Sequence, residues 1–196
     1  MALPRTVEMI PSPVLAPERD LRVAREILTA YEAVGESQTR MRARIVDWID
    51  KHPLDAHLRS CLEGHLTASA VLMDATRTRV LLTLHRKLGK WLQLGGHCDG
   101  DANLAGVAWR ETLEESGIQP AAISAAPIDV DVHRIPARPG EPEHDHLDTR
   151  YLVVAPKSAE VVISSESIDL RWFTRSEAEG LELDSSVLRL FDSAFA

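Results

Sequence analysis

The chain has 196 residues, 44% of them hydrophobic, so it can bury a substantial core and is not a disordered polymer. A formal net charge of −8 argues against broad electrostatic binding to nucleic acid or anionic lipid. An acidic protein that handles anionic phosphates would need cations between the two.

The N-terminal residues 1–16 are Pro-rich and read as extended, with charges where a signal peptide needs an apolar run. No segment approaches the ~20 apolar residues of a membrane span, which gives a cytoplasmic protein as the default expectation. Residues 17–34 carry helical spacing through Leu21, Ala24, Ile27, Leu28 and Tyr31, with Gly35 as the stop. Ser37 is placed to cap a second helix, whose face is Met41, Ile45, Trp48 and Ile49 and which ends before Pro53. A short helix is predicted over 55–62. Residues 1–64 thus read as a helical N-terminal extension, whose apolar faces could cover the rest of the chain or form a homodimer interface.

The pattern changes at His65. Strands are predicted at 65–74, 79–85, 91–94, 126–135, 148–155 and 168–173, with a helix at 103–116. Residues 136–147 read as a polar loop with three prolines. A helix start follows at Thr174, and a last helix over 185–195 carries Val187, Leu188, Leu190 and Phe191. This mixture predicts an α/β (α+β mixed) domain over 65–196, with a mixed sheet covered on both faces. Cys61 and Cys98 lack metal-ligand spacing and read as reduced thiols.

The helix at 103–116 carries the chemistry. Leu104, Val107 and Ala108 mark its apolar stripe, and the next positions on that stripe are Glu111 and Glu115. The pattern asks for apolar residues there and receives carboxylates, so these two should face a protected site. Glu114 adds a third acid in the last turns, where like charges repel and the helix dipole disfavours them. A hard divalent cation, Mg²⁺ or Mn²⁺, would relieve these costs, and Arg110 can pair with Glu114. A solvated acidic helix end is the bland alternative. Gly95 and Gly96, before the helix, let backbone approach a ligand or metal, and Gly117 suits a left-handed helix end.

Gly96 followed by Arg110, Glu111, Thr112, Leu113, Glu114, Glu115, Ser116, Gly117 and Ile118 resembles the Nudix box over residues 96–118. Two positions depart from it: Ala102 stands where the family has its first glutamate, with Asp101 one residue early, and Thr112 replaces an aliphatic residue. The resemblance implies a Nudix-type α/β/α sandwich (MutT-like) and Mg²⁺-dependent hydrolysis of a nucleoside diphosphate linked to another moiety. It implies metal held by Glu111, Glu115 and Glu114, with the Gly95 carbonyl completing the set. The catalytic candidates are Glu114, Glu115, Arg110 and two histidines of the later loop, His144 and His146, which share a face if that segment is extended.

Other residues carry weaker signals. His97 can face the site or pack a loop, and His133 reads as a core histidine. Trp91, Trp109 and Trp172 could stack on a base, with core packing the better reading for Trp109 and Trp91, and Arg86, Lys87 and Lys90 could meet phosphates or simply be solvated. Two competing readings stay open. One is a ligand-binding or regulatory protein weakened by Ala102. The other is an isoprenoid-diphosphate isomerase-like enzyme using Cys98.

Overall fold

The computed structural model describes residues 7–11 and 16–195. The expected extended run 1–16 lies outside these residues, apart from 7–11 and 16. The elements in chain order are β1 (Met9–Ile10), α1 (Leu21–Ala30), α2 (Gly35–Lys51), β2 (Gly64–Met73), β3 (Arg79–His85), β4 (Trp91–Leu92) and β5 (Leu94–His97). They continue with α3 (Leu104–Ser116), β6 (Ala122–Ser124), β7 (Asp129–Ile135), β8 (His144–Val154), β9 (Ser167–Thr174), α4 (Arg175–Glu179) and α5 (Ser185–Ala194).

The sheet is mixed. β2 and β8 run parallel at its centre, and the other described pairings are antiparallel. Even-numbered residues of β2 (Leu66, Ala68, Ala70, Leu72) join one core cluster with residues of α1, α2 and α3. Val71 and Met73 join a second cluster with Val187, Leu190 and Phe191 of α5. The period-2 alternation of a strand thus feeds two helical layers, and the α/β/α sandwich is observed.

Local chemistry sets the helix limits. α1 starts at Leu21 because the Asp20 carboxylate accepts from the Arg22 N–H. Gly35, at φ +79°, opens α2 instead of closing α1. The helix predicted over 55–62 is absent; turn hydrogen bonds such as Leu58 N–H to Asp55 O (2.8 Å) replace it. α4 begins with a reciprocal capping box between Thr174 and Glu177. The predicted strand 148–155 instead begins at His144, so the last third of the expected polar loop is sheet.

The first two helices are tied to the sheet by polar as well as apolar contacts. Gln38, 4% exposed, donates to Val130 O (3.0 Å) and accepts from Val130 N–H (3.1 Å). The Tyr31 hydroxyl donates to Ile128 O at 3.1 Å. Gln38→Ala should therefore cost about 1–3 kcal/mol, because it strands a buried backbone donor and acceptor together. Urea unfolding of the two proteins would measure this.

A buried ion network lies between β7, β8 and α5. Arg150, 1% exposed, contacts Asp148 (2.8 Å), Asp129 (3.1 Å) and Asp131 (3.3 Å). Arg189 contacts Asp129 (3.0 Å) and Asp131 (2.8 Å) from the other side. Antiparallel register sets these partners opposite one another: Asp129 faces Arg150, and Asp131 faces Asp148.

Candidate functional site

A cleft of about 1160 Å³ opens beside the C-terminal half of α3. Its lining includes Gly95, Gly96, Arg110, Glu111, Glu114 and Glu115, so the box residues singled out in the sequence come together. Thr67 and Ser69 of β2, His97 of β5, and His146 and Asp148 of β8 also contribute.

Glu115 and Glu111 reach this cleft across β5. The Gly95 N–H donates to Glu115 Oε2 at 2.8 Å. A β-carbon on Gly96 would lie 2.4 Å from Glu111 Oε2, and one on Gly95 would lie 2.3 Å from the Ser69 β-carbon. Close approach to the backbone of β2 requires glycine at 95, whereas a side chain at 96 would displace the Glu111 carboxylate from its place in the cleft. Glu115 is 7% exposed and the Glu111 side chain 16% exposed. The nearest cation to Glu111 is Arg110, at 4.0 Å, and none of the described ion pairs involves Glu115. Burial, with repulsion from neighbouring carboxylates added, pushes Glu115 up to about 8 and Glu111 up to about 7. Two buried acids with so little compensation suit a divalent cation.

Glu114 stands apart from this pair. Its side chain is 60% exposed on the cleft rim, 3.9 Å from Arg110. Arg110 also reaches Asp101 Oδ2 at 3.3 Å. Asp101 further accepts from the Glu18 and Asn103 N–H groups, at 2.9 Å each. The carboxylate one residue before Ala102 thus partners Arg110, while Ala102 is fully buried. Thr112 is buried too and satisfies its hydroxyl on Ala108 O (2.8 Å).

The histidines divide between two places. His146 lines the cleft, whereas His144, 2% exposed, does not. His97 lines the cleft, and desolvation pushes it down to about 4. His133, expected in the core, is instead exposed on the cleft rim, 3.0 Å from Asp131, because β7 runs past the core before it ends. Trp109 is core; Trp91 packs edge-on against Phe173, and Trp172 is only partly buried beneath Arg79. Among the basic residues, Lys87 lines the cleft, while Arg86 donates to Ser165 O (3.0 Å) and Ser167 O (2.8 Å). Cys98 is 1% exposed, and burial pushes its thiol up.

Sequence reasoning missed Asp148, Arg59 and Glu166 among the lining residues. Glu166 is an exposed acid just before β9, and its charge acts on both Glu111 and Glu115. A lone glutamate in a polar connection carries no periodic signal that could have marked it.

No curated protein matches the chain. The NUDIX domain profile matches residues 64–191. The fold is similar to the NUDIX domain of Shewanella oneidensis NrtR complexed with ADP ribose, with TM-score 0.54, 20% identity, and 78% of this chain and 96% of that one covered. It is also similar to a MutT NUDIX hydrolase from Burkholderia pseudomallei (TM-score 0.54, 21% identity, 66% and 97% covered). A C. elegans Ap4A hydrolase binary complex gives TM-score 0.51 at 19% identity, with 66% and 96% covered. With a domain profile spanning both the box and the sheet that carries it, the chain belongs to the NUDIX family.

Proposed function

We propose that this Nudix-family hydrolase cleaves the phosphoric anhydride of a nucleoside diphosphate linked to another moiety. The observation that carries the reading is the pair of buried carboxylates, Glu111 and Glu115, set against Gly95 and Gly96 in a cleft. Solved neighbours are named for ADP ribose and Ap4A, both nucleotide-linked phosphoanhydrides, which is consistent with that substrate class.

Glu111 and Glu115, with the Gly95 carbonyl, would hold Mg²⁺ or Mn²⁺, and Glu114 is a further carboxylate within the same segment. Such a cation, when bound, neutralises diphosphate charge and acidifies water. Arg110, held by Asp101, orients the carboxylates of α3. Glu114 and Glu166 are exposed carboxylates on the cleft whose charges act on Glu111 and Glu115, and either is available to accept the proton of the attacking water. Arg59, Lys87 and Arg138 place positive charge on the same walls for the substrate's phosphates. Cys98 is 1% exposed and burial raises its thiol, so it is a poor nucleophile, which disfavours the isomerase-like reading.

The raised carboxylates make a signed prediction. Their folded pKa values lie above the usual 4.5, so the metal-free fold binds more protons than the unfolded chain does. Its stability should fall as pH rises from about 4.5 toward 8. Protons and Mg²⁺ compete for the same oxygens, so half-saturating Mg²⁺ should decrease over that interval. Thermal melts in chelator and in Mg²⁺ at pH 5 and pH 8 check this, with Mg²⁺ stabilising far more at the higher pH. Activity assays on nucleotide sugars, dinucleotides and nucleoside diphosphates with Mg²⁺ would identify the substrate. Failure to turn over any of them would count against hydrolysis of this class.

A further inference from the structure

A second group of donors lies beside the cleft and contains no carboxylate of α3. His65 of β2 and His146 of β8 are register partners on the parallel pair, and His144 sits two residues before His146 on the same face. One ring nitrogen from each of the three lies within 4.8 Å of one from each of the others. The ring centroids are 4.8 to 5.2 Å apart. His97 stands 5.0 Å from His65 and 4.9 Å from His146.

The hydrogen bonding around these rings is one-sided. His144 places Nδ1 2.9 Å from the Pro142 carbonyl, and His65 places Nδ1 3.4 Å from the Cys61 carbonyl. A carbonyl oxygen can only accept, so in each ring Nδ1 carries the proton and Nε2 is left with a bare lone pair. The Nε2 atoms of His65, His144 and His146 are all buried and have no hydrogen-bond partner. His65 is 4% and His144 2% exposed. Buried nitrogens without partners are costly unless something completes them. A backbone carbonyl holding Nδ1–H while Nε2 points at an ion is how ligating histidines are oriented.

We propose that His65, His144 and His146 form a binding site for a borderline transition-metal ion of the Zn²⁺ class. Three imidazoles select against Mg²⁺ and for such an ion. Tetrahedral zinc places its ligand atoms roughly 3.4 Å apart, given Zn–N distances of ~2.0–2.1 Å. Rotation of the imidazole rings about their soft terminal torsion supplies the contraction. The Glu141 carboxylate, 3.7 Å from His144 Nε2 and half exposed, is the fourth ligand. Arg59, the nearby cation, is already paired with Asp99 at 2.6 Å. His146 and Glu141 both line the cleft, which gives the ion an entry path. The bound ion would pin the first residues of β8 to β2. It is separate from the cation assigned to Glu111 and Glu115.

The test uses the full chain, stripped of metal by chelation and shown to be folded by circular dichroism. Calorimetric titration with Zn²⁺ should give one equivalent, and Co²⁺ should show the intense visible bands of a four-coordinate site. His65→Gln and His144→Gln should each weaken Zn²⁺ by more than the 10–100-fold typical of losing an outer-shell partner. Glu115→Gln and Cys61→Ser should leave the titration unchanged. The second of these excludes the other donor group, His52, Asp55 and Cys61. Because Glu115→Gln removes the hydrolytic site and spares this one, loss of hydrolysis and loss of zinc binding are separable results. Should the histidine variants not fold, long-range ¹H–¹⁵N spectra of the wild type decide: the Nε2 resonances of His65 and His144 should move on adding Zn²⁺. No uptake by the folded wild type, a titration unaffected by both histidine changes, its loss in Glu115→Gln, or unmoved Nε2 resonances would each overturn the proposal.

Discussion

Glu115→Gln is expected to lower kcat for Mg²⁺-dependent hydrolysis by roughly 10³-fold, a loss of about 4 kcal/mol in transition-state stabilisation. The variant should melt no lower than the wild type. Glutamine keeps the shape of glutamate and can still accept the Gly95 N–H, a bond of 2.8 Å in the native site. It also removes a negative charge whose burial is unfavourable, as its raised pKa shows. Activity and stability should therefore move independently, and kinetics paired with calorimetry would show it. A drop in both would mean that Glu115 is a structural acid. Unchanged kcat would remove it from the site.

The second large effect is on stability. Arg150→Met should destabilise the fold by about 3–5 kcal/mol, because it leaves Asp129, Asp131 and Asp148 buried with one fewer cation among them. For a chain of this size the melting temperature should fall on the order of 10 °C. Arg189 still reaches Asp129 and Asp131, so Asp148 is the carboxylate left most exposed to the loss. Its remaining partners are the hydroxyls of Thr67 (3.1 Å) and Ser69 (2.7 Å). Arg150 favours the charged forms of Asp129 and Asp131, so in the variant these two should take up protons at higher pH than in the wild type. The deficit of the variant relative to the wild type, each measured at the same pH, should then narrow as pH falls toward 5. Denaturant titrations at two pH values measure both effects.

These two sites differ in how far the sequence disclosed them. Glu111 and Glu115 were legible because they interrupt an apolar stripe at helical spacing, and the Nudix box places them within a motif. β8 was not legible at its start. His144, His146, Asp148 and Arg150 occupy alternate positions on one face, and His133, Asp131 and Asp129 answer the last three across the ladder. A strand whose buried face is polar inverts the pattern by which strands are recognised, so 136–147 read as a loop to its end. The same inversion led His133 to be assigned to the core. Network and histidine cluster alike exist only through pairing between β2, β7 and β8, and one-dimensional spacing does not record that pairing. The fold class was easier, because long apolar runs such as 65–74 and 79–85 fix strands whatever their partners are.

The Gln38 side chain carries a consequence for the sheet margin. Among the described strands β7 pairs only with β8, so its far side is an edge whose amide groups could recruit another chain. Gln38 supplies one donor and one acceptor to Val130 and so acts as a two-bond stub of strand built on a helix. A protein beginning at residue 64 would lack that stub and would offer a free template for strand addition. Its characteristic failure would be self-association through β7 rather than simple unfolding.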